Sequence, residues 1–304
     1  EFWLDADIEL DGDPELQQAV RFALFHVLQA GARGQSRAIP AKGLTGPGYD
    51  GHTFWDTESF ILPMLTYTVP AAAGEELRWR HTTLQQAKER AAELDQAGAM
   101  FPWRSINGDE CSGYWPAGTA GIHVSADIAN ATARYIRATG DEAFEVECGV
   151  ELLVEIARFF SGFGHHDSTG RFRIDGITGP DEYTALVDDN HYTNKLVRET
   201  LLYATELAGT LRLLDAERFA EVEERTGLTD EEVARWFELA ALVHLPVDDR
   251  LGVTKQDASF LSKPEWPWDE VPQERYPLLL HYHYLDIYRH QVLKQADVLL
   301  AHTL

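Results

Sequence analysis

Apolar residues recur at spacings of three and four along most of the chain, a pattern typical of helices that bury one face. The clearest helix is predicted from Pro14 to Ala30, with Asp13 as its N-cap and Gly31 as its stop. Further helices are predicted over about 57–68, 75–97, 121–139, 141–160, 190–214, 229–244 and 276–301. Strand-like alternation is confined to residues 170–178, so the pattern indicates an all-α protein.

Several of these predicted helices also carry start or stop signals. Gly98, Gly140 and Gly162 are placed to close three of them. Thr229 followed by Glu232 suits a capping box at the start of another.

Four long segments between the predicted helices hold most of the Trp, Gly and Pro residues: 31–55, 98–120, 162–189 and 245–275. Loops of this length inside a compact domain tend to be functional. Long loops at every second junction suit a toroid of helix pairs, because alternate junctions then gather on one face. No Pro/Gly/Ser linker divides the chain, so we expect a single domain over residues 1–304.

The net charge of the chain bears on which classes of molecule it can bind. It has 26 Lys and Arg against 50 Asp and Glu, a formal net charge of −24, which repels phosphate backbones and anionic membranes. Nucleic acid and membranes are therefore not expected as partners, and a neutral ligand fits better. No stretch approaches the roughly 18–20 apolar residues of a membrane span.

Cys111 and Cys148 are the two cysteines, too few for a disulfide framework or a four-cysteine zinc site. Residues 1–14 lack the basic start and apolar core of a signal peptide, so a cytoplasmic location is predicted. The chain begins without Met and ends on the apolar run "KQADVLLAHTL", so we expect it to be part of a longer protein.

Residues 51–58, "GHTFWDTE", follow a glycine-rich approach and lead into a predicted helix. One interpretation makes Phe54 and Trp55 core residues and Asp56 or Thr57 a helix cap. The other is a sugar site, because a Trp face covers the C–H face of a pyranose while a carboxylate accepts from its hydroxyls.

The loop at 100–116 combines aromatic and acidic side chains without any period that would bury them on one stripe: Trp103, Arg104, Asp109, Glu110, Tyr114 and Trp115. Exposing so many aromatic rings is unfavourable. We interpret this segment as the lining of a pocket, with a loop that plugs the core as the alternative.

Two further segments could take part in chemistry. In "GPDEYT", Gly and Pro hold a turn that can aim Asp181 or Glu182, and an aromatic neighbour can raise the pKa of a carboxyl group. The alternative is an exposed turn with solvated acids. Lys294 and Gln295 interrupt an apolar pattern, which by itself indicates a helix face that reaches solvent.

Known site motifs are otherwise scarce. His281 and His283 are two positions apart and do not share a helix face, so no metal site is predicted there. The sequence has no phosphate-binding P-loop, no dinucleotide fingerprint and no H-E-x-x-H motif.

Taken in order, the segments "GLTGPGYDGHTFWDTE", "FPWRSINGDECSGYWPAGTAGIHVSADIANA", "GPDEYT", "DDNHYTNKL" and "LKQADVL" resemble glycoside hydrolase family 65. This family contains the maltose, trehalose, kojibiose and nigerose phosphorylases. The resemblance implies an (α/α)6-barrel catalytic domain, here incomplete at its C-terminal end and without the N-terminal β-sandwich of the family. It also implies a homodimer for the full-length protein.

The resemblance assigns roles to individual residues. Glu182 matches the general acid that protonates the glycosidic oxygen of the leaving sugar. Trp55, Asp56, Lys294 and Gln295 match residues that hold the non-reducing glucose. With the pocket interpretation of residues 100–116, the predicted sugar-binding set also includes Trp103 and Glu110.

The implied reaction is inverting phosphorolysis of an α-glucosyl disaccharide, with inorganic phosphate as co-substrate and with no cofactor or metal. An inverting hydrolase needs a second carboxylate to activate water, whereas phosphate is itself the nucleophile in a phosphorylase. The family segment that holds phosphate would lie beyond Leu304. An inverting, trehalase-like hydrolase and a sugar-binding fragment without turnover therefore remain alternatives.

Overall fold

The computed structural model describes residues 2–31, 36–113 and 115–303, and in this part of the chain helices dominate. The α-helices are α1 (Phe2–Asp5), α2 (Pro14–Gly31), α3 (Leu62–Thr68), α4 (Pro70–Thr82), α5 (Leu84–Ala92), α6 (His123–Thr139), α7 (Glu142–Phe144), α8 (Val150–Phe163), α9 (His191–Leu214), α10 (Ala216–Thr226), α11 (Asp230–Leu242), α12 (Tyr284–Tyr288) and α13 (Asp297–Thr303). The expected all-α class is confirmed. Closure into six helix pairs and the single domain over residues 1–304 stay predictions.

Strands within the described ranges are limited to two antiparallel pairs of two residues each. β1 (His165–His166) pairs with β2 (Phe172–Arg173), and β3 (Val247–Asp248) pairs with β4 (Val253–Thr254). The strand expected over residues 170–178 is therefore reduced to the second half of a short hairpin. Throughout the same ranges, no helix is long and apolar enough to span a membrane.

The apolar core lies along α9. This helix packs against α6, α8, α11 and α13, and most of its buried side chains belong to one large cluster with those of α6 and α8. A second cluster joins α3, α4, α6 and α7, and includes Leu62, Leu77 and Phe144. A third, smaller cluster places Tyr183 against Trp266.

Capping chemistry accounts for several of the predicted helix ends. The Asp13 carboxylate accepts from the backbone N–H of Leu16 at 3.0 Å, where α2 begins. Gly140 ends α6 in the left-handed conformation, with φ of 62°. The Thr229 hydroxyl accepts from the N–H of Glu232 at 3.2 Å, and the carboxylate of Glu232 accepts in return from the N–H of Thr229 at 3.1 Å. The capping box is thus confirmed.

Three sequence predictions about helices are wrong. The helix expected over 75–97 is two helices that meet at Thr83, whose N–H and hydroxyl both bond to the carbonyl of Arg80. The second of them ends at Ala92, so Gly98 does not close it. Gly162 lies inside α8, which continues to Phe163. α10 was not predicted.

The helix expected over 276–301 is also absent. Short 3₁₀ turns, α12 and an extended stretch take its place, and α13 begins only at Asp297. The N–H groups of Lys294 and Gln295 are donated to the side chain of Asp181, 113 and 114 positions away. Because these N–H groups bond to another part of the chain, they do not form the i to i−4 bonds of a helix.

The four long loops predicted from the sequence meet one another. Thr53 and Ser105 exchange backbone hydrogen bonds of 2.8 and 3.3 Å, which join the first loop to the second. The N–H of Thr178 in the third loop donates to Ala120 in the second at 3.1 Å. The fourth loop joins the third, because the N–H of Ala258 donates to the carbonyl of Asp188 at 3.0 Å. The loops therefore form one continuous layer.

Candidate active site

A cavity of about 340 Å³ opens among these loops. Six of the seven residues proposed from the sequence line it: Trp55, Asp56, Trp103, Glu182, Lys294 and Gln295. They come from four separate parts of the chain. The cavity is of the size that ligand pockets have in proteins, and it combines aromatic surface with charged groups.

Trp55 is held in place from behind by buried rings. It is 7% exposed and meets His123 edge to face at 5.2 Å and Tyr192 at 5.9 Å. His123 and Tyr192 are in turn fixed by Asp127, through contacts of 2.8 Å to His123 Nδ1 and 2.5 Å to the Tyr192 hydroxyl. The indole therefore has a single orientation at the cavity wall.

Asp56 is an exposed residue whose side chain lines the cavity. Partial burial raises its pKa, and the nearby charges of Glu182 and Asp127 raise it further. A backbone N–H bond and His123 oppose that rise. Asp56 directly precedes a π-helical turn, Thr57–Ile61, a feature that is frequent at functional sites.

A buried charge cluster begins in this turn, at Glu58. Glu58 accepts two hydrogen bonds from the guanidinium of Arg80, at 2.7 and 3.0 Å, and both side chains are at most 1% exposed. Glu76, also buried, accepts from the backbone N–H of Ile39 at 3.2 Å. Burial, reinforced by the charge of Glu58, raises the pKa of Glu76 to about 8. The cluster thus links the turn after Asp56 to the segment at 39–42, part of which lines the cavity.

Glu182 projects from the Gly-Pro turn that the sequence indicated. Its carboxylate contacts the ammonium group of Lys294. The neighbouring Asp181 is 4% exposed and accepts from the N–H groups of Lys294 at 2.8 Å and Gln295 at 3.1 Å. A side chain at Gly179 would collide with the side chain of Asn190, because its Cβ would lie 2.5 Å from the amide nitrogen. The turn is therefore fitted closely to its surroundings.

Trp103 and Glu110 occupy different positions. Trp103 is 8% exposed, lines the cavity and packs edge to face on Phe54 at 5.3 Å and on Trp115 at 5.1 Å. Glu110 is absent from the lining of this cavity. Its carboxylate accepts from the backbone N–H of Trp103 at 2.8 Å and lies 3.3 Å from Arg90. Glu110 thus supports Trp103, and its direct contact with sugar stays a prediction.

Other loop residues have mixed outcomes. Tyr114 lies outside the described residues. Lys42, Tyr49 and Phe60 line the cavity although none was singled out from the sequence. The signal was present for Lys42 and Tyr49, since both stand in or beside the glycine-rich approach to Trp55. Phe60 lies two positions beyond the segment "GHTFWDTE" at residues 51–58.

The cavity has charged groups of both signs but no cluster suited to a metal. Within residues 2–31, 36–113 and 115–303, no group of three His, Cys, Asp or Glu side chains could hold an ion. The arrangement can bind a polar ring against Trp55, accept hydrogen bonds from its hydroxyls at Asp56, and bring the carboxyl group of Glu182 to a bond at the edge of that ring.

Residues 21–304 match the central catalytic domain of glycosyl hydrolase family 65. The chain belongs to this family. An uncharacterized glycosyl hydrolase of Mycobacterium leprae is 52% identical over 301 residues, which are 99% of this chain and 37% of that protein. The α,α-trehalose phosphorylase of Geobacillus stearothermophilus is 47% identical over 304 residues, covering 100% of this chain and 40% of that enzyme.

The fold has a solved counterpart. A provisionally assigned kojibiose phosphorylase from the human microbiome superposes with a TM-score of 0.89 at 31% identity, covering 98% of this chain and 44% of that one. The chain spans about two fifths of the length of the curated relatives it matches. The similarity therefore establishes the family and the helical fold of this part of the protein.

Proposed function

We propose that the protein containing this chain carries out inverting phosphorolysis of an α-glucosyl disaccharide, giving β-glucose 1-phosphate and a free sugar. The observation that carries the proposal is the meeting of Glu182 with Trp55, Asp56, Lys294 and Gln295 in one cavity. Trehalose is the first substrate to test, because trehalose phosphorylases at 46–47% identity are among the relatives, while maltose and kojibiose phosphorylases are 33–34% identical.

In this mechanism the non-reducing glucose lies on Trp55, and Asp56 accepts hydrogen bonds from its hydroxyls. The ammonium of Lys294, which contacts the carboxylate of Glu182, turns to the sugar together with Gln295. The carboxyl group of Glu182 is then free to meet the glycosidic oxygen.

The chemical step involves one proton and one nucleophile. A phosphate oxygen attacks the anomeric carbon from the face opposite the leaving group, and the glycosidic C–O bond breaks. The proton of Glu182 passes to the leaving oxygen, so the second sugar departs neutral. Attack from the opposite face inverts the anomeric carbon and produces the β-phosphate. The reaction needs inorganic phosphate as co-substrate and no organic cofactor or metal.

Hydrolysis of the same α-glucosides is the second candidate. An inverting hydrolase needs two carboxyl groups, and the cavity contains a second one in Asp56. We favour sugar binding for Asp56, because it adjoins Trp55 and faces the cavity beside it. We do not favour the third candidate, a sugar-binding fragment without turnover, because Glu182 is present in the cavity. A cytoplasmic location and a homodimer of the full-length protein are part of the proposal.

The test is product release by the full-length protein from trehalose, maltose, kojibiose and nigerose, with and without phosphate. Glucose 1-phosphate that forms only with phosphate, and as the β anomer by NMR, would support phosphorolysis. Glucose release that is indifferent to phosphate would favour hydrolysis. Glu182→Gln should lower turnover by about 10²–10⁴-fold while sugar binding persists. Glu206→Gln, on an exposed part of α9, is the matched control and should change neither.

A further inference from the structure

A buried network of polar side chains links the turn that carries Glu182 to residues 294–297. We call it the interloop network, and it consists of Asp181, Asn190, Gln256 and Asp297. All four side chains are at most 6% exposed. None of them lines the cavity.

Asp181 bonds directly to the main chain of residues 294–295. Its Oδ1 accepts from the N–H groups of Lys294 at 2.8 Å and Gln295 at 3.1 Å, and from the N–H of Tyr183 within its own turn at 3.3 Å. One carboxylate oxygen thus joins the segment that carries the proposed acid to the segment that carries two proposed sugar-binding residues.

The other members hold residues 295–297 through separate hydrogen bonds. Asn190 Nδ2 donates to Asp297 Oδ2 at 2.7 Å, and Asn190 Oδ1 caps α9 by accepting from the N–H of Thr193 at 3.0 Å. Gln256 Nε2 donates to the carbonyl of Gln295 at 3.1 Å. Residues 294–297 are therefore anchored at several points to α9 and to two loops.

Burial of Asp181 is unfavourable for stability taken alone. Loss of hydration raises its pKa, and the three backbone N–H groups that it accepts from oppose this rise. The three backbone N–H groups would lose their acceptor if the carboxylate were removed. Asp181 therefore determines where the main chain of residues 294–295 lies against the turn.

We propose that Asp181 is a positioning residue for the reaction. By fixing the main chain at 294–295 against the turn at 179–183, it sets the place of the Glu182 carboxyl group relative to Lys294 and to the glycosidic oxygen. This inference rests on the proposed role of Glu182 as general acid. Asp181 itself touches no reacting atom.

The test compares two substrates that differ in their need for an acid. Trehalose requires protonation of its leaving oxygen, whereas the fluoride of α-glucosyl fluoride leaves with little help from an acid. In the full-length protein with phosphate, Asp181→Ala should lower kcat with trehalose on the order of 10²-fold, because a misplacement of about 1 Å can have that effect. With the fluoride, kcat should fall far less. Glucose 1-phosphate and fluoride release are the readouts.

Asp181→Asn is the conservative control. Its amide oxygen can accept from the same N–H groups, so turnover of trehalose should return to near the native value. Asp181→Ser keeps a polar group that is too short to reach residues 294–295, and it provides the same comparison if Asp181→Ala does not fold. An equal loss of kcat with both substrates would show a merely structural role and overturn the proposal.

Glu182→Gln, measured with the same two substrates, separates this inference from the proposed function. If Glu182→Gln selectively loses trehalose turnover and Asp181→Ala does not, the positioning role fails while the general acid stands. If Glu182→Gln loses both activities equally, or neither, the assignment of the acid fails, and the inference about Asp181 fails with it.

Discussion

Glu76 offers a test of how the structure underlying the cavity responds to pH. Its side chain is fully buried, and one oxygen accepts from the N–H of Ile39 at 3.2 Å. The other oxygen has no hydrogen-bond partner among the residues that the structure describes. Burial raises the pKa from 4.5 to about 8, with the charge of Glu58 adding to the rise and that of Arg80 opposing it. Glu76→Gln keeps the acceptor oxygen and removes the ionisable group.

The expected effect follows from proton linkage. At pH 7 the unfolded chain has an ionised Glu76, whereas the folded protein must protonate it, so folding takes up a proton. The interval between 4.5 and 7 is about 2.5 pH units, and at about 1.36 kcal/mol per unit the proton uptake costs about 3 kcal/mol. A carboxyl group whose pKa is raised on folding lowers stability as pH rises from 4.5 to about 8. Glu76→Gln should therefore stabilise the protein near pH 7 and have little effect near pH 4.5.

The assay is urea unfolding of the full-length protein, followed by tryptophan fluorescence at pH 5 and pH 7. The free-energy difference between Glu76→Gln and the native protein should grow by about 2–3 kcal/mol between these two pH values. Titrating groups that do not interact with Glu76 are common to both proteins and cancel in the difference. Glu75→Gln, at the half-buried neighbouring position in α4, is the control substitution. If the free energies of unfolding of Glu76→Gln and of the native protein change equally between pH 5 and pH 7, the reasoning about Glu76 is refuted.

Three further predictions concern the site and its support. Asp56→Ala should weaken glucose binding by about 1–3 kcal/mol, because a sugar hydroxyl loses its acceptor, and unchanged affinity by calorimetry would contradict the sugar-binding role. Arg80→Met should destabilise the protein by about 3–5 kcal/mol, because Glu58 is left buried without its ion-pair partner. A urea midpoint near that of the native protein would contradict this prediction. Gly98→Ala should lower the free energy of unfolding by about 1–3 kcal/mol through its φ of 82° alone, and further because the new Cβ would lie 2.2 Å from the carbonyl oxygen of Glu155. A variant that unfolds at the same temperature as the native protein would exclude this strain.

Much of the helical framework could be predicted from the sequence, for a local reason. The helices α9 and α11 bury mainly one face against a neighbour, so their spacing of apolar residues records their burial. The capping box at Thr229 is likewise a matter of four consecutive residues. Where the partner of a segment is remote, this reasoning fails, as it does at residues 276–301.

The candidate site was predicted more through motifs than through periodicity. Trp55, Asp56 and Glu182 stand out because aromatic and acidic residues adjoin glycine and proline. Lys294 was interpreted from its pattern as part of a helix face that reaches solvent, because the sequence does not show that its N–H bonds to Asp181. Glu110 has the residue type of a sugar ligand, yet its contacts with Trp103 and Arg90 are a matter of three-dimensional packing.

The hydrogen bonds that join the four long loops have a consequence for engineering specificity. The loop that contains Ser105 bonds to the first loop at Thr53 and to the third at Thr178. A loop transplanted alone from a relative would leave backbone groups at these junctions without partners, at a cost of about 1–3 kcal/mol for each one that is buried. Chimeras should therefore exchange neighbouring loops as matched sets, with their crossover points inside helices such as α6 and α9.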